Sequence, residues 1–293
     1  MELMERRRFL TMPLAAMAAP GALLAATAGS AQAAVATAAI PTVPAITTPA
    51  NTLKGLGHGG KDALALQQIN SLKLKWHYTW GSHPNVATAT PFVPMIKSAR
   101  TLLEQDAIGY VTRQLAETKT KHLLGFNEPD HEAQANMSVD QAISLWPRLQ
   151  ATGLRLGSPA TTGPASPWLA DFMAKAKNKG LRVDFMTMHR YAWPKADEFL
   201  RKVTELHERY GKPIWVTEYA VADWNATSTR PSVYSRAQTE DFMRATVAGL
   251  RAMPFVERFA WKTRPALDPK MGCSALFHTN GTLTTTGKLY ASL

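Results

Sequence analysis

Short apolar or β-branched runs alternate along the chain with longer segments whose apolar residues recur at helical spacing. The runs predict eight strands, at residues 55–58, 74–80, 92–96, 122–127, 155–158, 183–189, 214–218 and 258–262. The segments between them predict helices over residues 62–71, 98–117, 138–151, 165–178, 195–210 and 235–251. This alternation is typical of parallel strands joined by helical crossovers. We therefore predict an α/β fold, and eight strands favour a single (β/α)8 TIM barrel.

Chain length and one glycine-rich segment bear on the choice between a barrel and an open sheet. The chain has 293 residues, which would suit two small domains or one barrel of roughly 250 residues. The segment that ends the first predicted strand, residues 55–60, lacks the glycine spacing of the common nucleotide-binding motifs. We therefore expect one barrel domain over residues 54–293 rather than an open nucleotide-binding sheet.

The first 33 residues have the composition of an export signal. Arginines at positions 6–8 precede Phe9 and Leu10 and an alanine-rich apolar run, and small residues at 31–33 suit a signal peptidase. The paired arginines favour a twin-arginine signal, and a general secretory signal is the alternative. Residues 34–53 are rich in Ala, Thr and Pro and uncharged, which indicates an extended tether. We expect a secreted or periplasmic protein.

The overall charge and the cysteine count narrow the choice of partners. The formal net charge is +11, but the basic residues are scattered, which indicates solvated helix faces. Nucleic-acid binding is therefore disfavoured, and attraction to an acidic cell envelope is the alternative interpretation. No stretch after the signal reaches the roughly 18 apolar residues of a membrane span. Cys273 is the only cysteine, so the hydrophobic core must stabilise the fold without disulfides. We also expect a monomer that has no membrane partner.

Two glutamates carry the candidate chemistry. Glu128 and Glu218 each follow an apolar run, at the ends of the fourth and seventh predicted strands. In a barrel these strand ends meet at one mouth. Hydrolysis of a glycosidic bond needs a carboxylic acid and an ionised carboxylate, and a spacing of roughly 5 to 5.5 Å makes the second a nucleophile. A capping or ion-paired role would explain either glutamate alone, but the pair favours a glycosidase.

Polar and aromatic residues near the same strand ends are candidate sugar ligands. Asn127 could hold a sugar hydroxyl, and His189 and Tyr191, at a spacing of two, could donate hydrogen bonds to the nucleophile or to the sugar. The aromatic candidates for stacking on sugar rings, each of which could instead belong to the core, are Trp76, Tyr78, Trp80, Trp193, Trp224 and Trp261. The histidines show no metal-site spacing, so neither a metal nor a cofactor is expected.

At these residues the chain resembles glycoside hydrolase family 128. The resemblance extends from about residue 54 onward and is most specific at residues 125–130, GFNEPD, and 217–220, TEYA. Further matching segments are residues 75–80, 157–159, 184–191 and 258–261. It implies a barrel that acts as a retaining endo-β-1,3-glucanase, with Glu128 as acid/base and Glu218 as nucleophile. His77, Thr79 and Arg190 depart from the family pattern, which bears on glucan length and linkage.

The resulting hypothesis is an exported retaining β-glucanase whose partner is a β-glucan polysaccharide or oligosaccharide. Two alternatives stay open. One is a non-catalytic β-glucan-binding barrel, which would keep the aromatic residues without the chemistry. The other is a barrel glycosidase for a different β-linkage.

Overall fold

The computed structural model describes residues 53–293, so the predicted signal and all but the last residue of the predicted tether lie outside the described residues. The strands are β1 (Leu53–Gly57), β2 (Trp76–Tyr78), β3 (His122–Leu123), β4 (Arg155–Leu156), β5 (Met186–Ala192), β6 (Ile214–Val221) and β7 (Val256–Trp261). The helices are α1 (Ala63–Ser71), α2 (Ala99–Glu104), α3 (Ala107–Arg113), α4 (Leu115–Thr118), α5 (Val139–Gln150), α6 (Pro167–Asn178), α7 (Ala196–Tyr210), α8 (Arg236–Ala252) and α9 (Thr285–Ser292).

All pairings between these strands are parallel, which confirms the predicted α/β class. Five strands form one sheet in the order β2-β1-β7-β6-β5, and β3 pairs with β4. Single parallel bridges join these two groups. They connect His77 with Phe92, Met95 with Leu124, and Gly157 with Phe185.

The third predicted strand, residues 92–96, is wrong as a strand. Val93 donates its amide hydrogen to the His77 carbonyl, and Leu124 donates to the Pro94 carbonyl, so the segment does run between β2 and β3. Pro94 has no N–H to donate. The segment therefore makes isolated bridges where a ladder was expected.

Two apolar clusters lie on opposite sides of the strands. The larger one packs the strands against the helices. The smaller one gathers side chains from every strand region between β2 and β7 except β4, namely Trp76, Tyr78, Val93, Met95, Leu124, Phe185, Trp215 and Ala260. Glycine is required beside it, because a Cβ on Gly55 would lie 2.2 Å from the Trp76 indole and one on Gly157 would lie 2.6 Å from the Phe185 ring.

The helices follow the predicted positions with two differences. The segment predicted as one helix over residues 98–117 is divided into α2, α3 and α4, and the first break falls at Asp106, whose φ of 45° is left-handed. The short C-terminal helix α9 was not predicted, although Thr284 caps it by accepting a hydrogen bond from the Gly287 amide. Among residues 53–293, no helix is long and apolar enough to cross a bilayer.

Candidate active site

Glu218 lies on β6, a strand whose residues are all buried. Its Oε1 atom accepts a hydrogen bond of 2.6 Å from Trp80 Nε1 and one of 3.1 Å from the Tyr78 hydroxyl. Its Oε2 atom accepts a hydrogen bond from the Tyr191 hydroxyl and lies 3.2 Å from Lys262 Nζ. The two oxygens together are therefore held by donors from three strand regions, those of β2, β5 and β7.

These donors set the ionisation of Glu218. Burial by itself would raise the pKa of this carboxyl group. Interactions with His189 and with Lys262, together with hydrogen bonds from Tyr191 and Trp80, outweigh burial and lower the pKa to about 2. Burial and the neighbouring charge of Glu218 raise the pKa values of Tyr78 and Tyr191 well above the usual range, so both phenols stay protonated donors. Glu218 is therefore a carboxylate at neutral pH.

Glu128 is mounted on a loop just after β3. Its amide hydrogen bonds the Ala160 carbonyl at 2.6 Å, and its φ of 43° is left-handed. Such a backbone is costly for a residue with a side chain and is found where surrounding contacts impose it. Although Asn127 and Glu128 are adjacent in the chain, both line one cavity.

His189 connects the two glutamates. It is fully buried on β5 and pairs in register with Glu218 across a β-bulge. His189 Nδ1 lies 2.9 Å from Glu128 Oε1, and Nε2 lies 3.4 Å from Glu218 Oε1. The two carboxyl groups are therefore separated by one imidazole ring and its two contacts. The predicted pair shares one site.

This site opens into a cavity of about 780 Å³, a volume typical of ligand sites. Its polar wall beyond the two glutamates includes Lys97, Asn127, Gln134, Thr162, Lys262 and Lys270. Asn127 Nδ2 donates to Gln134 Oε1 at 3.3 Å, whereas its buried Oδ1 has no protein donor. A buried amide oxygen without a donor is costly, and a ligand hydroxyl could satisfy it.

The predicted aromatic ligands fall into two groups. Trp80, Tyr191 and Trp224 line the cavity. Trp224 presents the most accessible ring, with 55% of the residue exposed, and its Nε1 donates to the Tyr191 carbonyl at 3.2 Å. Trp80 is less available, because Lys262 Nζ lies over its ring, 3.8 Å from the centroid.

The other predicted aromatic ligands lie away from the cavity. Trp76 and Trp261 are buried, and their indole nitrogens donate to the carbonyls of Leu53 and Ser274, so both are core residues. The Trp193 indole donates to Glu198 on the far side of β5. Tyr78 is buried and reaches the site only through its hydroxyl.

Lys262 is the residue that the sequence analysis missed. It follows Trp261, the last residue of β7, and its ammonium lies beside Glu218. Its position at the end of the last predicted strand is the signal that the sequence offers for it. Among residues 53–293, no group of three His, Cys, Asp or Glu side chains lies close enough to hold a metal ion.

Two acids flanking a cavity at the strand ends are the arrangement of a glycosidase, and a match to a known family defines the same class. The family model described as Glycosyl hydrolase catalytic core matches residues 55–290. A curated relative, Alkali-sensitive linkage protein 1 from Schizosaccharomyces pombe, is 28% identical over 75% of this chain. The matched region is 40% of that protein's length.

Similar solved structures identify one family within this class of glycosidases. An endo-β-1,3-glucanase of glycoside hydrolase family 128, subgroup I, from Amycolatopsis mediterranei in complex with laminaritriose is 35% identical, with a TM-score of 0.72 over 83% of this chain and 99% of that one. A curdlan-specific exo-β-1,3-glucanase of subgroup III from Blastomyces gilchristii is 25% identical, with a TM-score of 0.66 over 82% and 98%. The chain belongs to the glycosyl hydrolase catalytic core family and, within it, to glycoside hydrolase family 128.

Proposed function

We propose that this protein hydrolyses β-1,3-glucan as a retaining endo-glucanase. The observation that carries the proposal is the pair Glu128 and Glu218, which share His189 and face one cavity. The glucan linkage is supported by the family 128 structures, one of which holds laminaritriose. Double displacement at the anomeric carbon needs one proton donor and one nucleophile, and the surroundings of Glu218 keep it ionised as a nucleophile must be.

Glu218 is the nucleophile in this proposal. Its low pKa keeps it ionised, and donors on both oxygens fix its direction. One oxygen attacks the anomeric carbon as the bond to the leaving sugar breaks, which produces a covalent glycosyl ester. The hydroxyls of Tyr78 and Tyr191 donate to opposite oxygens of this carboxyl group.

Glu128 is the acid/base. Its carboxyl group contacts the His189 side chain, whereas Glu218 is held by several donors. Glu128 is therefore free to give a proton to the leaving oxygen and then to take one from the water that hydrolyses the ester. The constrained backbone at its left-handed φ fixes the direction of this transfer.

The cavity wall supplies contacts to the sugar. We assign the Asn127 amide oxygen to a sugar hydroxyl, because it is buried and has no protein donor. Trp224 offers an accessible ring on which a pyranose can stack. Trp76, Trp193 and Trp261 have no part in the binding proposal, because they lie away from the cavity.

The eight strand regions form a closed (β/α)8 barrel in this proposal. Support comes from the bridges at residues 77–92, 95–124 and 157–185, which link the five-stranded sheet to β3 and β4. Contacts between distant strands also support closure, since Arg155 on β4 binds Glu257 on β7. Closure would bring every strand end to one mouth.

Internal cleavage is favoured by the shape of the cleft. A second groove of about 540 Å³ shares the wall formed by Trp80, Lys262 and Arg264 and extends to His58 and Phe277. A cleft that continues beyond the two glutamates can hold sugars on both sides of the cleaved bond. We further propose that the protein acts as an exported monomer on its glucan, without a nucleic-acid or membrane partner.

Azide rescue tests the two roles. With an aryl β-glucoside or β-laminaribioside, Glu218→Ala plus azide should yield the α-glycosyl azide, because azide attacks from the vacated nucleophile side. Glu128→Ala plus azide should yield the β-azide, because azide attacks the glycosyl ester. Proton NMR distinguishes the two products. The same anomer from both variants would contradict the assignment.

Product analysis tests linkage and cleavage mode. The wild-type protein is incubated with curdlan, laminarin, cellulose and pustulan. We expect a ladder of oligosaccharides from the two β-1,3-glucans and no release from the other two. Retention on insoluble curdlan without new reducing ends would identify a binding module. Release from cellulose or pustulan alone would identify a different linkage, and glucose as the sole early product would identify exo cleavage.

A further inference from the structure

A lysine contacts the proposed nucleophile. Lys262 Nζ lies 3.2 Å from Glu218 Oε2, whereas His189 approaches Oε1 of the same carboxyl group. The side chain of Lys262 is 17% exposed and that of Glu218 is 6% exposed. An ion pair this buried is screened little by solvent, so it acts on Glu218 far more strongly than a surface pair would.

The position of Lys262 is fixed at both ends of its side chain. Its amide donates to the Tyr219 carbonyl at 2.9 Å, which ties the backbone to the residue after Glu218. Its ammonium lies 3.8 Å from the centroid of the Trp80 ring, within the range of a cation–π contact. Trp80 in turn donates to Glu218 at 2.6 Å. The three side chains form one closed set of contacts.

We propose that Lys262 is a positioning residue that holds Glu218 ionised and aimed for attack, with Trp80 as its support. This inference rests on the proposed function. Trp80 then donates a hydrogen bond to Glu218 and makes a cation–π contact with the ammonium of Lys262. The ring face covered by the ammonium is not accessible to a sugar.

Lys262 and His189 are the two basic side chains among the described groups around Glu218. The groups that face Glu218 are Tyr78 from β2, Trp80 after β2, His189 and Tyr191 from β5, and Lys262 after β7, with Glu128 behind His189. The two phenols and the indole are neutral donors, and the charge of His189 depends on its protonation. Arg264 lines the same cavity, but its guanidinium pairs with Asp268 at 3.2 Å.

The ammonium should affect the two chemical steps in opposite directions. Attack joins a Glu218 oxygen to the anomeric carbon and removes the negative charge, so a cation beside the free carboxylate disfavours this step. Water then cleaves the ester, Glu128 takes the water's proton, and the carboxylate returns as leaving group beside the ammonium. Lys262 therefore favours the second step.

Because the pKa of Glu218 is about 2, the test is the pH profile of kcat/KM from about pH 2 to about pH 8 for the wild type, Lys262→Met and Lys262→Arg. Loss of the cation raises the pKa of Glu218, so in Lys262→Met the acid limb should move upward by about one pH unit, with kcat/KM about tenfold lower on that limb. Lys262→Arg should keep the limb near its wild-type position. Lys175→Met is the matched control, because Lys175 pairs with Asp140 and Asp171 on a helix surface.

A second measurement does not need turnover. Carbon-13 NMR of glutamate carboxyl groups follows the titration of Glu218, assigned by its loss in Glu218→Gln, in the wild type and in Lys262→Met. Coincident titrations and coincident acid limbs in these two proteins would overturn the inference. A wild type inactive on every glucan would instead overturn the proposed function, while the NMR comparison would still decide whether Lys262 controls Glu218.

Discussion

The two ends of the strands each hold a glutamate with a lowered pKa, in very different settings. Near the carboxyl end of β6, Glu218 is held by donors and by Lys262. Near the amino end of β7, Glu257 accepts hydrogen bonds of 2.7 and 2.8 Å from the Arg155 guanidinium and one of 2.7 Å from Trp215 Nε1. Burial opposes ionisation of Glu257, and the bonds from Arg155 and Trp215 overcome it and lower its pKa.

The two glutamates differ in what they face, since the side chain of Glu257 is 25% exposed and that of Glu218 only 6%. Glu257 is matched by the bidentate Arg155, which is the geometry of a structural pair. Glu218 faces a cavity that it shares with a second carboxyl group, Glu128. A lowered pKa by itself therefore does not distinguish a catalytic carboxylate from a structural one. The cavity and the second acid make the distinction.

The largest expected effect is on activity at the carboxyl end. Glu218→Gln removes the attacking oxygen's charge and should lower kcat/KM on laminarin by on the order of 10⁴-fold or more. The fold should persist, because an amide can still accept hydrogen bonds from Tyr78 and Trp80. Reducing-end release and circular dichroism measure the two properties. Activity within tenfold of the wild type would contradict the assignment of Glu218.

The matched change at the amino end should affect stability instead. Glu257→Gln leaves Arg155 without its carboxylate, and we expect a loss of about 1 to 3 kcal/mol in the free energy of unfolding. Urea denaturation measures this loss. At 25 °C kcat/KM should stay close to the wild-type value. A large loss of activity in the folded variant would show that the two ends are coupled.

Acid should destabilise the fold in part through His122. Burial, with the charges of Arg258 and Arg155, lowers the pKa of His122 from 6.5 to about 4. Between about pH 6.5 and pH 4, His122 binds a proton in the unfolded chain but stays neutral in the folded protein, so the stability of the fold decreases as the pH falls. His122→Phe should keep the contact with Trp215, whose ring centroid lies 4.8 Å away, and reduce this decline by about 1 to 2 kcal/mol.

His77 titrates in the same direction, since burial lowers its pKa to about 4. His122→Phe should therefore lessen the acid loss of stability without abolishing it. Urea unfolding at about pH 7 and about pH 4.5 gives the comparison. The acid limb of kcat/KM should not move, because it reports Glu218 and not the amino end. An unchanged decline in stability would exclude His122 as a source.

The sequence predicted the parts of the site that depend on strand order. Apolar runs predicted strands, and parallel strands bring their carboxyl ends together, so Glu128, His189, Tyr191 and Glu218 could be placed near one another. Period-two spacing on β5 correctly put His189 and Tyr191 on one face, since both reach Glu218.

The sequence does not predict which aromatic side chains reach the cavity, nor the local backbone conformation of the site. Trp76 and Trp80 lie on one face of the β2 region at a spacing of four, yet Trp76 is buried and Trp80 reaches the cavity. Sequence spacing gives the face of a strand and the separation of two residues along it, but not which of them lies at the level of the cavity. The left-handed φ of Glu128 carries no signal in composition either.

The smallest expected effect separates two exposed tryptophans. Trp224 lines the cavity with 55% exposure, whereas Trp193, with 45% exposure, lies outside it and donates to Glu198. Loss of an aromatic contact of about 0.5 to 1.5 kcal/mol in Trp224→Ala should raise KM for laminarin oligosaccharides about two- to tenfold, with kcat nearly unchanged. Trp193→Ala should leave both constants as in the wild type.

The tryptophan pair controls for size and exposure, so a difference between the two variants reports position alone. Isothermal titration of laminari-oligosaccharides into inactive Glu218→Gln versions of both variants would separate binding from turnover. If Trp193→Ala weakened binding as much as Trp224→Ala, the glucan would have to extend past Tyr191 to the outer side of β5. The carboxyl end would then bind its substrate over a wider surface than the cavity defines.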